Sequence, residues 1–287
     1  MRDIPLADIF VRTLGQGARK VLALHCTIAH SGAWSGLASA LGDEATFAAP
    51  DMPSHGRSSN WDGQGDFFDH VTELSAAHLT EPMDVIGHSF GGMLALWLAV
   101  EFPELVRSAV LIEPVFFAVA VQDAPELVKQ HDDEAKPVSD AFAAGDMEQA
   151  ARLFNRMWGA QDGPRWPDLP ERIRAGMIRG IHVVPAVDNA LFLDQKGLLN
   201  TDVLKSASMP VLILSGSETH PVMPVIGEGL ARRLPNARTG IISGAGHMVP
   251  ITHPDQTAAV IRKFWGDPSS TTFRVRVAAA PEITTSR

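Results

Sequence analysis

Short apolar runs alternate with helical patterns through most of the chain. Phe10–Leu14 leads to a turn at Gly15-Gln16-Gly17, and Val21–His25 follows as a second run. Thr46–Ala49, Met83–Gly87 and Ala109–Glu113 are further candidate strands. Between them the spacing predicts helices over Trp34–Leu41, Asp66–Leu79 and Phe90–Phe102. Strands that alternate with helices build βαβ units and hence a mostly parallel sheet. Parallel strands are covered on both faces and read as near-continuous apolar runs. Val110-Leu111-Ile112 and Val211-Leu212-Ile213-Leu214 have that character.

From Val115 to about Ser208 the strand-like runs vanish. Helical segments such as Glu148–Trp158 and Pro170–Ile181 are broken by Gly163-Pro164, Trp166-Pro167 and Pro185. This stretch is expected to be a helical insert over one edge of the sheet. The strand–helix rhythm returns with Val211–Leu214, Ile226–Arg233, Thr239–Ile242 and Gln256–Trp265. The expected organisation is therefore α/β, with a mostly parallel central sheet flanked by helices. Residues 1–114 and 209–266 form its two parts, and 115–208 form a helical cap. Residues 267–287 are expected to be a loosely held tail; an edge strand through Phe273, Val275 and Val277 is the alternative.

Composition narrows the function. The 287 residues are 45% hydrophobic and 20% charged, as in a globular protein with a real core. Lys plus Arg number 24 against 33 Asp plus Glu, a net charge of −9. That balance disfavours a nucleic-acid or anionic-membrane binder. Cys26 is the one cysteine, so neither a disulfide within the chain nor a cysteine-built metal site is possible. Met1-Arg2-Asp3-Ile4-Pro5 lacks the apolar run of a secretory leader, and no apolar stretch is long enough to span a bilayer. The expectation is a soluble, cytoplasmic protein.

Gly87-His88-Ser89-Phe90-Gly91 matches the pattern G-x-S-x-G between the run Met83–Ile86 and an Ala/Leu-rich helix. In that strand–turn–helix setting the serine takes a strained backbone and its hydroxyl is pushed out at the carboxyl edge of the sheet. The new helix aims its N-terminal N–H groups at the same place, which favours developing negative charge. A serine hydroxyl is a weak nucleophile near neutral pH and needs an adjacent base. His247, on a Gly-rich loop after the last strand, is the candidate.

With these residues the chain resembles the α/β-hydrolase family over about residues 6–265. His25 opens a loop that runs to Trp34. Asp51-Met52-Pro53-Ser54-His55-Gly56-Arg57-Ser58 is similar to the family's Asp-x-Pro-Gly-His-Gly-x-Ser turn, and Gly244-Ala245-Gly246-His247 to the loop carrying its histidine. Cys26 and Ser54 stand where the family usually has glycine. The resemblance implies Ser89 as nucleophile and His247 as base. It implies an oxyanion hole from the N–H groups of Phe90 and Thr27. The usual acid position falls on Thr219, which cannot carry the charge. Two carboxylates remain: Glu113, at the end of the strand after the elbow helix, and Glu218. Glu113 is preferred, because a glutamate ending an apolar strand is costly to bury without a partner.

The implied activity is that of a serine hydrolase cleaving an ester, lactone or related acyl bond through an acyl-enzyme. Aromatic and Met residues of the insert imply a small to medium, largely apolar acyl substrate, and no arginine or lysine cluster is expected to grip a highly anionic one. No metal, nucleotide or organic cofactor is implied. C–C bond hydrolysis or cofactor-free perhydrolysis would use the same triad. A non-catalytic ligand-binding protein is the alternative from a different class.

Overall fold

In the strand β2 (Arg19–Leu24), Val21 and Ala23 enter one apolar cluster while Leu22 and Leu24 enter another. The two-residue period of a strand is therefore buried on both sides, as a parallel sheet between two helical layers requires. The computed structural model describes residues 8–160 and 163–266. The remaining strands are β1 (Val11–Gly15), β3 (Ala45–Pro50), β4 (Met83–His88), β5 (Val106–Ile112), β6 (Val211–Gly216) and β7 (Ala237–Ile242). They form a seven-stranded sheet in the order β1-β3-β2-β4-β5-β6-β7. β1 runs antiparallel to β3, and the other neighbours are parallel. The tail expected over 267–287 lies outside the described residues.

Three helices interleave the first strands: α1 (Ser35–Leu41), α2 (Phe67–Ala76) and α3 (Phe90–Glu101). Between β5 and β6 the described elements are all helical. They are α4 (Phe117–Asp123), α5 (Pro125–Ala143), α6 (Met147–Trp158), α7 (Glu171–Gly180), α8 (Asp188–Phe192) and α9 (Thr201–Leu204), with short 3-10 turns. After β6 come α10 (Val222–Arg233), and after β7 α11 (Val249–Thr252) and α12 (Pro254–Gly266). Leu37 and Leu41 of α1 and Ile261 and Phe264 of α12 cover one face of the sheet. α2, α3 and α10 supply the cluster on the other, where Phe67, Leu96 and Leu230 are fully buried. A third, small cluster around Ala150, Ala151 and Ile181 belongs to the insert itself. Among the described residues no helix is long and apolar enough to cross a membrane.

At the amino ends of the strands Asp84 is fully buried. It accepts from Arg19 Nε at 2.5 Å, from the Arg107 guanidinium and from Ser108 Oγ at 2.6 Å, joining β2, β4 and β5. The opposite ends of the strands are left for chemistry.

Candidate active site

β4 runs into α3 through one residue, Ser89, with φ 56° and ψ −117°. This left-handed φ is disfavoured for a residue with a side chain. Two glycines make the turn sterically possible. A Cβ on Gly87 would stand 1.9 Å from Gly91 O, and one on Gly91 would stand 2.0 Å from Leu24 O. Ser89 N–H donates to Ile112 O at 2.8 Å, so sheet pairing continues up to the serine. Phe90 is the first residue of α3, and its N–H has no intrahelical acceptor.

Glu113, directly after β5, also has a positive φ of 49° and is fully buried. Its N–H donates to Leu214 O at 2.8 Å, which holds it to β6. Its carboxylate receives three donors. Gly216 N–H reaches Oε1 at 2.8 Å, while Thr219 Oγ1 and His247 Nδ1 reach Oε2 at 2.6 and 3.0 Å. A buried carboxylate requires such saturation to be tolerable. Glu218 is exposed, and its N–H donates to Ala245 O at 2.9 Å. Of the two candidate acids, Glu113 is the one bonded to the imidazole.

His247 lies on the loop after β7 and is 7% exposed. With Nδ1 bonded to Glu113, Nε2 is the ring nitrogen on the far side. His88 holds the backbone of the same residue, donating from Nε2 to His247 O at 2.8 Å. Burial, helped by the neighbouring His247, pushes the His88 pKa down to about 3, so His88 stays neutral.

The loop after β2 turns at Cys26–Ala29, where Ala29 N–H donates to Cys26 O at 3.2 Å and Ile28 has φ 57°. Thr27 is inside this turn. Two buried histidines brace it. His25 donates from Nδ1 to Cys26 O at 2.8 Å and accepts at Nε2 from Met52 N–H at 2.9 Å. His55 donates from Nδ1 to Pro53 O at 2.9 Å and accepts at Nε2 from Ile28 N–H at 3.0 Å. Both accept on one nitrogen and donate from the other, which is the pattern of neutral imidazole. Burial lowers their pKa values to about 4 and about 3. Asp51 fixes the adjoining turn by accepting from Ser31 N–H at 2.6 Å and Arg57 N–H at 2.7 Å. Burial pushes its carboxyl up, but these hydrogen bonds outweigh burial and hold it below the usual carboxylate range. Burial drives the Cys26 thiol up to about 12, so it is a packed residue and not a thiolate.

Ser89, His247 and Thr27 line one cavity of about 1260 Å³ whose other wall comes from the helices between β5 and β6. Phe117, Trp158 and Phe192 face it. The Trp158 ring centroid is 4.6 Å from that of His247, and the Phe117 and Phe192 rings stack at 4.4 Å. His131 of α5, a solitary histidine with no motif around it, lines the same wall with its ring 4.5 Å from Phe117. Burial lowers its pKa. No motif marks this placement in the sequence; it follows from the packing of α5. Contrary to the expectation of no arginine cluster, Arg12 and Arg57 also line the cavity, because two segments distant in sequence bring them onto the same ring, that of Phe10.

Comparison with known proteins agrees with this architecture. The sequence model of the alpha/beta hydrolase fold family matches residues 20–254. The chain belongs to the α/β-hydrolase fold family and is a hydrolase. It is 29% identical over 254 residues to a pimeloyl-[acyl-carrier protein] methyl ester esterase of Nitrosomonas europaea, covering 88% of this chain and 97% of that one. It is 28% identical to the lipase LipV of Mycobacterium tuberculosis, covering 91% and 99%. The crystal structure of the enol-lactonase from Burkholderia xenovorans LB400 shares the fold with a TM-score of 0.62 at 19% identity, covering 90% of this chain and 96% of that one.

Proposed function

We propose that this chain is a serine hydrolase that cleaves an ester or related acyl bond of a small to medium, largely apolar substrate through an acyl-enzyme. The observation that carries the reading is the hydrogen bond from His247 Nδ1 to the buried Glu113 carboxylate, in the cavity that Ser89 enters from a strained elbow. The esterase and lipase relatives support ester chemistry.

Ser89 Oγ attacks the acyl carbon as His247 Nε2 takes its proton. Glu113 fixes the tautomer that leaves Nε2 basic and stabilises the imidazolium that forms. The N–H groups of Phe90 and Thr27 hold the oxyanion, with the amino end of α3 adding its dipole. Collapse expels the alcohol, protonated by His247; water, giving its proton to His247, then attacks the acyl-Ser89 ester, and collapse returns that proton to Ser89 Oγ and releases the acid. The helices of 115–208 act as a cap that excludes water and shapes the acyl site, over a core made of 1–114 and 209–266.

Exposure to a small fluorophosphonate followed by peptide mapping tests this without a guess at the substrate. One stoichiometric adduct on Ser89, lost in His247→Ala, is expected. Absence of an adduct on folded wild-type protein would overturn the reading.

A further inference from the structure

We infer that the cavity carries an anion subsite made by Arg12 and Arg57, and that the acyl substrate ends in a carboxylate or phosphate at the end remote from the cleaved bond. The inference rests on the hydrolase reading above and specifies its substrate class.

The two guanidinium groups share one platform. Arg12 Cζ lies 5.6 Å and Arg57 Cζ 4.0 Å from the centroid of the Phe10 ring. The cation–π contact holds each head group in place without neutralising it. Among the described residues no carboxylate pairs with either, whereas Arg19, Arg107, Arg165, Arg232, Arg233 and Arg262 all have one. Asp51, on the adjoining turn, accepts from the N–H groups of Ser31 and Arg57 and forms no ion pair with either guanidinium. The other acids facing the cavity, Asp132 and Asp188, stand on the opposite, insert side. Two like charges gathered on one ring repel each other, and a ligand anion removes that repulsion.

The position suits a substrate with two ends. Arg12 Nε donates to Ser31 Oγ at 3.2 Å, which leaves its two terminal nitrogens for a ligand. Ser31 lies on the same loop as Thr27, four residues on. A carbonyl oxygen at Thr27 N–H therefore has the arginine pair further along the same cavity wall. At about 1260 Å³ the cavity has room for a chain between the two points. Guanidinium is the side chain suited to bidentate capture of a carboxylate or phosphate.

The test compares three methyl esters of matched length at low ionic strength: monomethyl adipate, methyl hexanoate and methyl 5-phosphonopentanoate. Wild type is expected to favour at least one anionic ester over methyl hexanoate by about tenfold in kcat/KM, the worth of one charge-assisted contact. The two anions separate a carboxylate-ended from a phosphate-ended substrate. In Arg12→Gln/Arg57→Gln the ratio should fall to about one, and a ratio within one preparation cancels any loss of folded enzyme. Calorimetric titration with uncleavable ketone isosteres of the same compounds reads binding directly. Tighter, arginine-dependent binding of an anionic ketone without turnover of any ester would retain the subsite and refute ester hydrolysis. Equal handling of charged and neutral compounds, or a preference that survives the double substitution, would overturn the inference.

Discussion

Thr219 donates its hydroxyl to the same Glu113 oxygen that accepts from His247: Oγ1 to Oε2 is 2.6 Å and Nδ1 to Oε2 is 3.0 Å. The two residues stand beyond the carboxyl ends of neighbouring strands, β5 and β6. Thr219 stands where the family resemblance places an aspartate, and the carboxylate bonded to His247 is supplied from the adjacent strand.

Replacing Glu113 by Gln is therefore expected to lower kcat by about 10⁴-fold, as loss of an orienting carboxylate does in serine hydrolases. Glu218→Gln should leave kcat within about twofold, since its side chain is exposed. Thr219→Asp in the Glu113→Gln background should recover part of the loss, because it returns a carboxylate to the usual position. Steady-state hydrolysis of a short-chain p-nitrophenyl ester checks all three. A large loss at Glu218 with little at Glu113 would relocate the acid.

Folding stability should fall steeply as pH drops from about 6.5 towards 5. His25, His55 and His88 have folded pKa values lowered to about 4, 3 and 3, against an ordinary value of 6.5. For a group with a depressed folded pKa, the unfolded chain binds the extra proton. The contribution is complete above pH 6.5 and lost as pH falls towards the folded value. Each group adds a slope of about 1.4 kcal/mol per pH unit in that window. Urea unfolding at pH 7, 6 and 5 measures the total. His88→Gln, which keeps a donor for His247 O, should remove about a third of the slope.

Ser54 combines a cost and a gain. Its φ of 65° lies in the left-handed region, at a position where the family usually has glycine. Its hydroxyl accepts from Trp61 N–H at 3.0 Å and lies 3.3 Å from His182 Nε2. Ser54→Ala loses the hydrogen bonds and keeps the strain, so it should cost about 1 kcal/mol. Ser54→Gly loses the same bonds but relieves about 1 kcal/mol of strain. The glycine variant should therefore melt above the alanine variant and close to wild type. Equal melting temperatures for the two variants would argue that the left-handed φ carries no cost here.

Removing Asp84 should be felt by the whole sheet. Asp84→Ala deprives Arg19 and Arg107 of their shared buried carboxylate. The guanidinium groups are part-exposed and can turn to water, so the cost is expected at the low end for a buried pair, about 3 kcal/mol. Denaturant midpoints would show this as a large shift, with Ser89 labelling unaffected under native conditions.

The strands were legible because a parallel strand is apolar on both faces: Val110–Ile112 and Val211–Leu214 announce themselves without any partner in view. The elbow and the His247 loop were legible through glycines, and the spacing of 1.9–2.0 Å that a Cβ would meet at Gly87 and Gly91 gives the reason. The helix α5 is hard to read from the sequence as one element. Its sequence is polar, and Pro137 inside it gives the signal of a break. His131 on that helix carries no motif, so its place in the cavity wall comes only from packing. Arg12 and Arg57 lie on separate segments and meet only because β1 pairs with β3 and the Asp51 turn follows β3. Glu113 is legible in the sequence through its place at the end of an apolar strand directly after the elbow helix, where an unpartnered carboxylate is costly to bury.

Ser89 N–H donates to Ile112 O, and Glu113 N–H donates to Leu214 O. Both residues are thus stitched into the backbone ladder of the strand beside them, each one step past the end of its own strand. Their separation is inherited from interstrand spacing, which hardly varies between sheets. The helices between β5 and β6 take no part in that ladder. They can be lengthened, exchanged or repacked by evolution or by a protein engineer, and the shape of the cavity can drift while the distance between Ser89 and Glu113 stays the same.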